Sequence, residues 1–166
     1  MKNSSSYCKI LFVIGLSFLF GACATQKEKQ ARINLIDSLV KSDNFKFVAQ
    51  QATPLRGNIV SQRLLQLDGS YYLKVNKDTL NAYLPYFGVA QQAPYGTTDN
   101  GIQFITTDFD YNKTKKTKGF EITIVPKKTD KANRLFLTVS ESGTATLHVN
   151  SNNRDAISFS GTIEKP

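Results

Sequence analysis

The stretch from Phe120 to Ile163 decides the fold, and it contains the runs Phe120-Glu-Ile-Thr-Ile124, Leu135-Phe-Leu-Thr-Val139, Ala145-Thr-Leu-His-Val149 and Ile157-Ser-Phe-Ser-Gly-Thr-Ile163. In each run, apolar side chains recur at every second residue, which is the spacing of a β-strand with one buried face. Short polar segments separate the runs, as expected for strands joined by turns. The stretch therefore predicts an antiparallel meander that packs one face against a core.

The same alternation begins much earlier in the chain. Phe45–Gln50 alternates apolar and more polar residues, and Asp68-Gly69 separates the strand-like runs Asn58–Leu67 and Ser70–Asn76. An Asp-Gly pair in this position is typical of a hairpin turn, because such a turn needs positive φ. Counting the runs gives about eight strands, without a helix-sized segment between them.

A sheet of about eight strands must cover its edges, because exposed edges invite pairing with other chains. The fold class is therefore predicted to be mainly β, an antiparallel meander that closes into a β-barrel, with one N-terminal helix. A β-sandwich or a half-open roll is the alternative. The helix is predicted from apolar residues at helical spacing, which are Ile33, Leu35, Ile36, Leu39 and Val40.

The N-terminus carries an export signal. Lys2 and Lys9 precede the apolar segment Ile10–Phe20, and the small pair Gly21-Ala22 leads to Cys23. This order is typical of a secretory signal peptide, and the apolar segment is short for a membrane-spanning helix. The resemblance to bacterial lipoprotein signals implies cleavage before Cys23 and acylation of that residue. Two or more acyl chains give stable membrane anchoring.

Three parts follow from these patterns. Residues 1–22 are predicted to be the signal peptide, and residues 23–43 to be the acylated cysteine, a tether and the short helix. Residues 44–166 are predicted to form a single β-barrel domain. The polar segment Thr25–Arg32 is expected to be a flexible lead from the membrane.

Cysteine content and charge limit the chemistry. Cys8 leaves with the signal and Cys23 is acylated, so we expect neither a disulfide nor a thiolate metal site in the mature domain. The net charge of +8 favours acidic partners such as anionic headgroups or acidic glycans. Nucleic acid is the other usual partner of basic proteins, and the export signal argues against it.

The chain shows no catalytic constellation and implies no cofactor. His148 is the single histidine, which excludes a metal site built from imidazoles, and a Gly-x-Ser-x-Gly elbow is missing from the sequence. Asp108 and Asp110 flank Phe109 and would point the same way on a strand. Paired carboxylates can hydrolyse glycosides, although a solvated pair beside a turn is the simpler interpretation. We therefore predict a protein that is not an enzyme, with a carboxylate-dependent hydrolase as a less favoured hypothesis.

Residues 84–104 interrupt the strand pattern with prolines, glycines and aromatic residues. Tyr86, Phe87 and Tyr95 are candidate ligand-binding residues, because rigid amphipathic rings can line the mouth of a pocket. Alternatively, these rings fill the core at a barrel corner.

This segment resembles an uncharacterised family of exported lipoproteins of Bacteroidota, a family with an LPYFG motif. The resemblance covers about residue 45 to residue 164. It implies an exported lipoprotein with a lipocalin-like barrel topology, and it carries no catalytic residues. The matching positions are Leu84-Pro85-Tyr86-Phe87-Gly88, Tyr95-Gly96, Asp99, Gly101-Ile102, Gly143-Thr-Ala145, Leu147, Val149, Asn153-Arg154, Ile157 and Gly161.

Several surface features remain to be placed. Lysines cluster at Lys113–Lys118 and at Lys127–Arg134, which should lie near opposite ends of one strand. Either cluster could meet headgroups beside the anchor, or form ordinary solvated turns. Ser38 and Thr79 lie in Asp-Ser/Thr-Leu patterns that resemble O-glycosylation acceptors. The polar face of the last hairpin carries hydroxyls that could bind a glycan or simply be solvated, at Thr144, Thr146, Ser158, Ser160 and Thr162.

Together these observations predict a cell-envelope lipoprotein, expected at the outer membrane and facing the periplasm or the cell surface. Its expected role is that of a non-enzymatic accessory or binding module with an envelope protein as partner. The alternative is a lipocalin-like binder of a small lipid or glycan.

Overall fold

The computed structural model describes residues 26–54, 65–87, 101–152 and 154–166. Within them a helix, α1, covers residues 26–41, and nine strands follow. The strands are β1 Phe45–Pro54, β2 Tyr72–Asn76, β3 Thr79–Leu84, β4 Ile102–Thr106, β5 Phe109–Lys116, β6 Gly119–Pro126, β7 Arg134–Ser140, β8 Thr144–Asn150 and β9 Ile157–Glu164.

The strands form one sheet in the order β4-β3-β2-β1-β9-β8-β7-β6-β5, and every neighbouring pair is antiparallel. Two meanders are therefore joined where β1 pairs with β9. That pairing runs from Lys46 opposite Glu164 to Pro54 opposite Ile157, with a bulge between Ala49 and Gln51. A bulge bends the strand and increases its twist, which helps the sheet to curl.

β4 and β5 behave as a single bent strand. Because all neighbours in the sheet are antiparallel, β4 and β5 run in the same direction, and only Thr107 and Asp108 separate them. The chain pairs with β3 before the bend and with β6 after it. At the bend, the Thr106 hydroxyl accepts a hydrogen bond from the Asp108 N–H at 3.1 Å. The sheet thus returns on itself as a nearly closed barrel, which confirms the predicted barrel-like, mainly-β fold.

The inward-facing side chains form one apolar cluster. An eight-stranded barrel is about wide enough to be filled by its own side chains. Every inward position predicted from Phe120 to Ile163 is buried, which confirms the alternation. The largest fully buried side chains are Phe45, Phe47, Leu73, Leu80, Leu84, Ile102, Ile122, Ile124, Leu135, Leu137, Leu147 and Phe159.

α1 packs against the barrel end where β1 begins and where the β5–β6 and β7–β8 turns lie. Ile36 and Val40 enter the core cluster. The lead expected to be flexible over Thr25–Arg32 is helical from residue 26. Its Lys, Glu, Gln and Ala residues are good helix formers, which explains why a polar segment continues the helix. In the described residues no helix is both long and apolar enough to cross a membrane.

The segment around Asp68-Gly69 differs from the predicted hairpin. Gly69 has the expected positive φ, at 83°. However, Gln66 pairs with Gln51 of β1, and β1 and β3 occupy the two edges of β2. The segment therefore forms a loop between Gln66 and β2, both of which pair with β1. The positive φ of Gly69 follows from the local sequence, whereas the partner strand is decided by residues that are distant in sequence.

Candidate functional site

The barrel end opposite α1 carries two of the predicted ligand-binding aromatics. Tyr86 and Phe87 follow β3 and pack against the core. The Tyr86 hydroxyl donates to the carbonyl of Asp155 at 3.1 Å. The guanidinium carbon of Arg154 lies 5.1 Å from the Tyr86 ring centroid, and Arg154 donates to the carbonyl of Gly101 at 3.2 Å. These contacts join the β8–β9 connection to the end of β3 and the start of β4.

Burial, together with the nearby Asp155 carboxylate, raises the pKa of Tyr86 above its ordinary value. The hydroxyl therefore stays protonated as a donor at physiological pH. Since the ring and the hydroxyl are both engaged within the protein, Tyr86 has a structural explanation at this corner. Tyr95, the third predicted ligand-binding residue, lies outside the described residues.

The predicted modification sites fall in different environments. Cys23 lies outside the described residues. Ser38 is exposed on α1, whereas Thr79 is the half-buried first residue of β3. Acylation at Cys23 and glycosylation at Ser38 or Thr79 stay predictions.

The predicted carboxylate pair is held by lysines. Asp108 forms an ion pair with Lys128 at 3.2 Å, and Asp110 forms one with Lys127. His148 is exposed, and its Nδ1 lies 2.6 Å from the Ser158 hydroxyl. Among the described residues, no three His, Cys, Asp or Glu side chains come together as a metal-ion site would require.

The two basic clusters lie at opposite ends of β6, as the sequence predicted. At the α1 end, Lys113 binds Asp43, Lys115 binds Asp37 and Lys116 binds Glu121. Most of this cluster is therefore occupied in holding α1 and the β5–β6 hairpin. Lys118, at the tip of that hairpin, is exposed.

The hydroxyl face of the last hairpin has the predicted register. Thr144 lies opposite Thr162, and Thr146 lies opposite Ser160. Thr144, Thr146 and Ser160 border a shallow groove of about 330 Å³ on the outer wall, together with Gln50 and Thr138. The groove is neutral and polar, and the structure gives it no feature that distinguishes a glycan site from a solvated face.

A cluster that sequence reasoning missed lies on the outer wall across β2, β3 and β4. Tyr72 lies opposite Tyr83, and Tyr83 lies opposite Gln103. Two residues further along the two strands, Asn81 lies opposite Ile105. Since residues two apart on a strand share a face, Tyr83 and Ile105 are diagonal neighbours on the outside of the barrel.

The loop before β2 adds a third ring to this wall. Tyr71 stacks on Tyr83 with centroids 5.6 Å apart and planes inclined by 14°. Tyr72 lies 5.9 Å from Tyr83 on the same wall. Lys46 Nζ is 4.9 Å from the Tyr72 ring centroid. We call Tyr71, Tyr72, Tyr83 and Ile105 the tyrosine patch.

The tyrosine patch leaves apolar surface uncovered. Ile105 is 70% exposed and Tyr83 is 39% exposed, and Leu35 on α1 is the third exposed large apolar side chain in the described part of the chain. The sequence alone indicated one member of this patch: Tyr72 precedes the inward-facing Leu73, so its side chain should face outward. Its meeting with Tyr83 and Ile105 depends on strand register, which alternation within each strand does not specify.

The geometry defines a mainly-β barrel protein with an N-terminal helix across one end. The model of DUF4251, a domain of unknown function, matches residues 27–163, and the chain belongs to this family. The predicted resemblance to an uncharacterised family is thereby confirmed. No curated protein matches the chain significantly.

A solved structure from the same family shares the fold. It is the crystal structure of a DUF4251 family protein from Bacteroides eggerthii DSM 20697, with a TM-score of 0.52 and 15% sequence identity. The match covers 81% of this chain and 88% of that chain. At this identity the likeness establishes the architecture alone.

Proposed function

We propose that this protein is a non-enzymatic accessory module of the bacterial cell envelope. Acyl chains on Cys23 hold it at the membrane, and the tyrosine patch binds an envelope protein. The exposure of Ile105 beside the stacked tyrosines carries this proposal. Covering an exposed β-branched apolar side chain with a partner removes apolar surface from water, which makes binding more favourable.

The composition of the tyrosine patch favours a protein as the ligand. Tyrosine is enriched at protein interfaces, because it offers a large rigid area with a polar tip at low entropic cost. Lys46 and Lys74 lie opposite each other next to the patch on the outer wall. The complementary surface is therefore an apolar or aromatic centre with acidic side chains at its rim.

The two alternative functions receive less support. A lipocalin-type binder needs a cavity, whereas the inward side chains of the described strands pack into one apolar cluster. A hydrolase that used Asp108 and Asp110 would need these carboxylates to be available, whereas each is paired with a lysine.

Crosslinking in cells tests the tyrosine patch. The variant Tyr83→Thr/Ile105→Thr keeps β-forming residues and removes the exposed apolar surface. We expect the wild type to be crosslinked to a partner protein that is recovered in comparable amount. With this variant, the recovered amount of that partner should fall by at least tenfold. Leu35→Gln is the matched control, because it removes exposed apolar surface on α1. Equal recovery with both variants would show that the patch is not the interface.

The anchor is tested separately by mass spectrometry of the purified N-terminus. We expect an acylated Cys23 in the wild type and in Cys8→Ala. Cys23→Ala should lack acylation and should leave the membrane fraction or retain its signal. Acylation that persists in Cys23→Ala would contradict the proposed anchor.

A further inference from the structure

A second interaction surface lies beside α1, at the barrel end nearest Cys23 in sequence. We propose that Lys29, Arg32 and Lys118 form a binding groove for the anionic headgroups of the membrane that carries the protein. This inference rests on the proposed anchor, because acylation of Cys23 brings the groove to the bilayer.

The groove forms where α1 lies next to two hairpin turns. It has a volume of about 250 Å³ and is lined by Lys29, Arg32 and Ile33 of α1, by Lys118 of the β5–β6 turn, and by Ser140–Ser142 near the β7–β8 turn. Arg32 Nε donates to the carbonyl of Ser142 at 2.6 Å, which fixes α1 to that turn. The cations are thus held together by residues from three parts of the fold.

The charge of this groove is not neutralised internally. In the described part of the chain, Lys29, Arg32 and Lys118 form no ion pair, whereas Lys115 and Lys116 do. Glu141 is the one acidic residue in the lining. Three cations and two serine hydroxyls suit a phosphate group, which accepts both ionic and neutral hydrogen bonds, and the cations outnumber the one carboxylate.

The groove residues of α1 lie close to Cys23 along the chain. Two residues lie between Cys23 and Gln26, so the three steps along the chain span at most roughly 11 Å when fully extended. The helical rise of about 1.5 Å per residue places Lys29 and Arg32 only roughly 5 Å and 9 Å further along α1. Headgroup charges act over a screening length of about 8 Å at physiological salt. A short anchor and an unneutralised cationic groove therefore favour contact with headgroups.

This contact would orient the whole barrel. The α1 end would face the bilayer, and the opposite end with Tyr86 and Arg154 would face away from it. The tyrosine patch lies on the side wall and stays open to a partner.

Fluorescence quenching in vesicles tests the orientation. Because Cys23 is acylated and Cys8 is removed, Thr117→Cys supplies a single dye site beside Lys118, and Asp130→Cys supplies one at the far end. The lipidated protein is reconstituted in phosphatidylcholine, with or without phosphatidylglycerol, and the bilayer carries a headgroup quencher. We expect strong quenching at residue 117 with phosphatidylglycerol, little at residue 130, and a loss of the difference at about 1 M salt, where the screening length is about 3 Å.

Charge removal identifies the groove. A basic residue near an anionic surface contributes about fivefold to binding, so Lys29→Gln/Lys118→Gln should lower the ratio of docked to undocked protein about 25-fold. Both side chains are exposed, so the fold is preserved. Lys74→Gln/Lys128→Gln is the control of equal charge and should leave quenching unchanged. Equal quenching at residues 117 and 130, or no effect of Lys29→Gln/Lys118→Gln, would overturn the inference.

Measuring the mass of the N-terminal peptide distinguishes a failure of the proposed anchor from a failure of the proposed groove. An unacylated chain would overturn the proposed anchor. The groove would then be tested with Thr117→Cys in a chain whose Cys8 and Cys23 are replaced by alanine, so that the dye has a single site, added to phosphatidylglycerol vesicles. Quenching at residue 117 that disappears at high salt would support the groove, and its absence would exclude it.

Discussion

Two glycines with positive φ show how differently single positions constrain this barrel. Gly69 has φ of 83°, and the nearest atom to an added Cβ is the Val48 Cγ1 at 3.9 Å. Gly119 has φ of 138°, and an added Cβ would lie 1.9 Å from the Val139 carbonyl oxygen. Gly119 begins β6 beside β7, so its missing side chain allows the two strands to approach. The positive φ disfavours any other residue at both positions. Only at Gly119 is there also no space for a side chain.

These two glycines should respond differently to alanine. Gly69→Ala should lower the free energy of unfolding by about 1 kcal/mol, the cost of placing an L-residue at positive φ. Gly119→Ala should cost about 4 kcal/mol or more, because strain and a backbone clash act together. Urea unfolding measures both. Similar losses for the two variants would show that β6 and β7 can separate at low cost.

Tyr111 is a second residue whose environment predicts a measurable property. Its hydroxyl is buried and has no hydrogen-bond partner among the described residues. Burial and the nearby Asp43 carboxylate raise the pKa of Tyr111 well above its ordinary value. Above about pH 10, the unfolded chain loses this proton while the folded chain keeps it. Stability is therefore lost as the pH rises past that value.

Tyr111→Phe should remove this alkaline loss. At neutral pH the variant should be as stable as the wild type, or more stable by about 1 kcal/mol, because an unsatisfied buried hydroxyl disappears. Urea unfolding at neutral pH and above pH 10 measures the difference, with exposed Tyr83→Phe as the control. A large loss of stability at neutral pH would mean that the hydroxyl has a partner.

At the level of elements, a lysine of β5 caps the C-terminus of α1. Lys113 Nζ donates to the carbonyls of Val40 and Lys41 at 2.8 Å and 3.1 Å, and it lies 2.6 Å from Asp43 Oδ1. The last carbonyls of a helix have no partner within the helix, so a cation here satisfies them and complements the helix dipole. Asp43, with φ of 54°, turns the chain into β1.

Replacing Lys113 should loosen α1 specifically. Lys113→Met keeps the apolar stem and removes the ammonium, and it should cost about 1–2 kcal/mol because charged hydrogen bonds are lost. Lys115→Met is the control, since its ion pair with Asp37 is largely exposed and should contribute less than about 1 kcal/mol. Hydrogen exchange should accelerate in α1 for Lys113→Met and not for the control. Equal exchange would show that Ile36 and Val40 hold the helix alone.

At the level of the whole molecule, closure of the barrel separates three surfaces. α1 covers one end with a basic groove, the Tyr86 and Arg154 corner occupies the other end, and the tyrosine patch lies on the wall between them. The pairing of β1 with β9 joins residues more than one hundred positions apart. The bend between β4 and β5 lets one strand serve both meanders. The surfaces therefore keep fixed relative positions, which the proposed anchored binding module would require.

The sequence alone determined strands β1, β2 and β6 to β9, their inward face and the mainly-β class. Period-two alternation is local, because backbone geometry sends neighbouring side chains to opposite faces. It also indicated positive φ at Gly69, because local chemistry decides turn conformation. Only the tertiary structure decided that Gln66 pairs with β1, that Tyr83 lies diagonal to Ile105, and that Lys29 and Lys118 line the same groove. Strand register and helix docking arise from packing between distant segments, and those contacts leave no periodic trace in the chain.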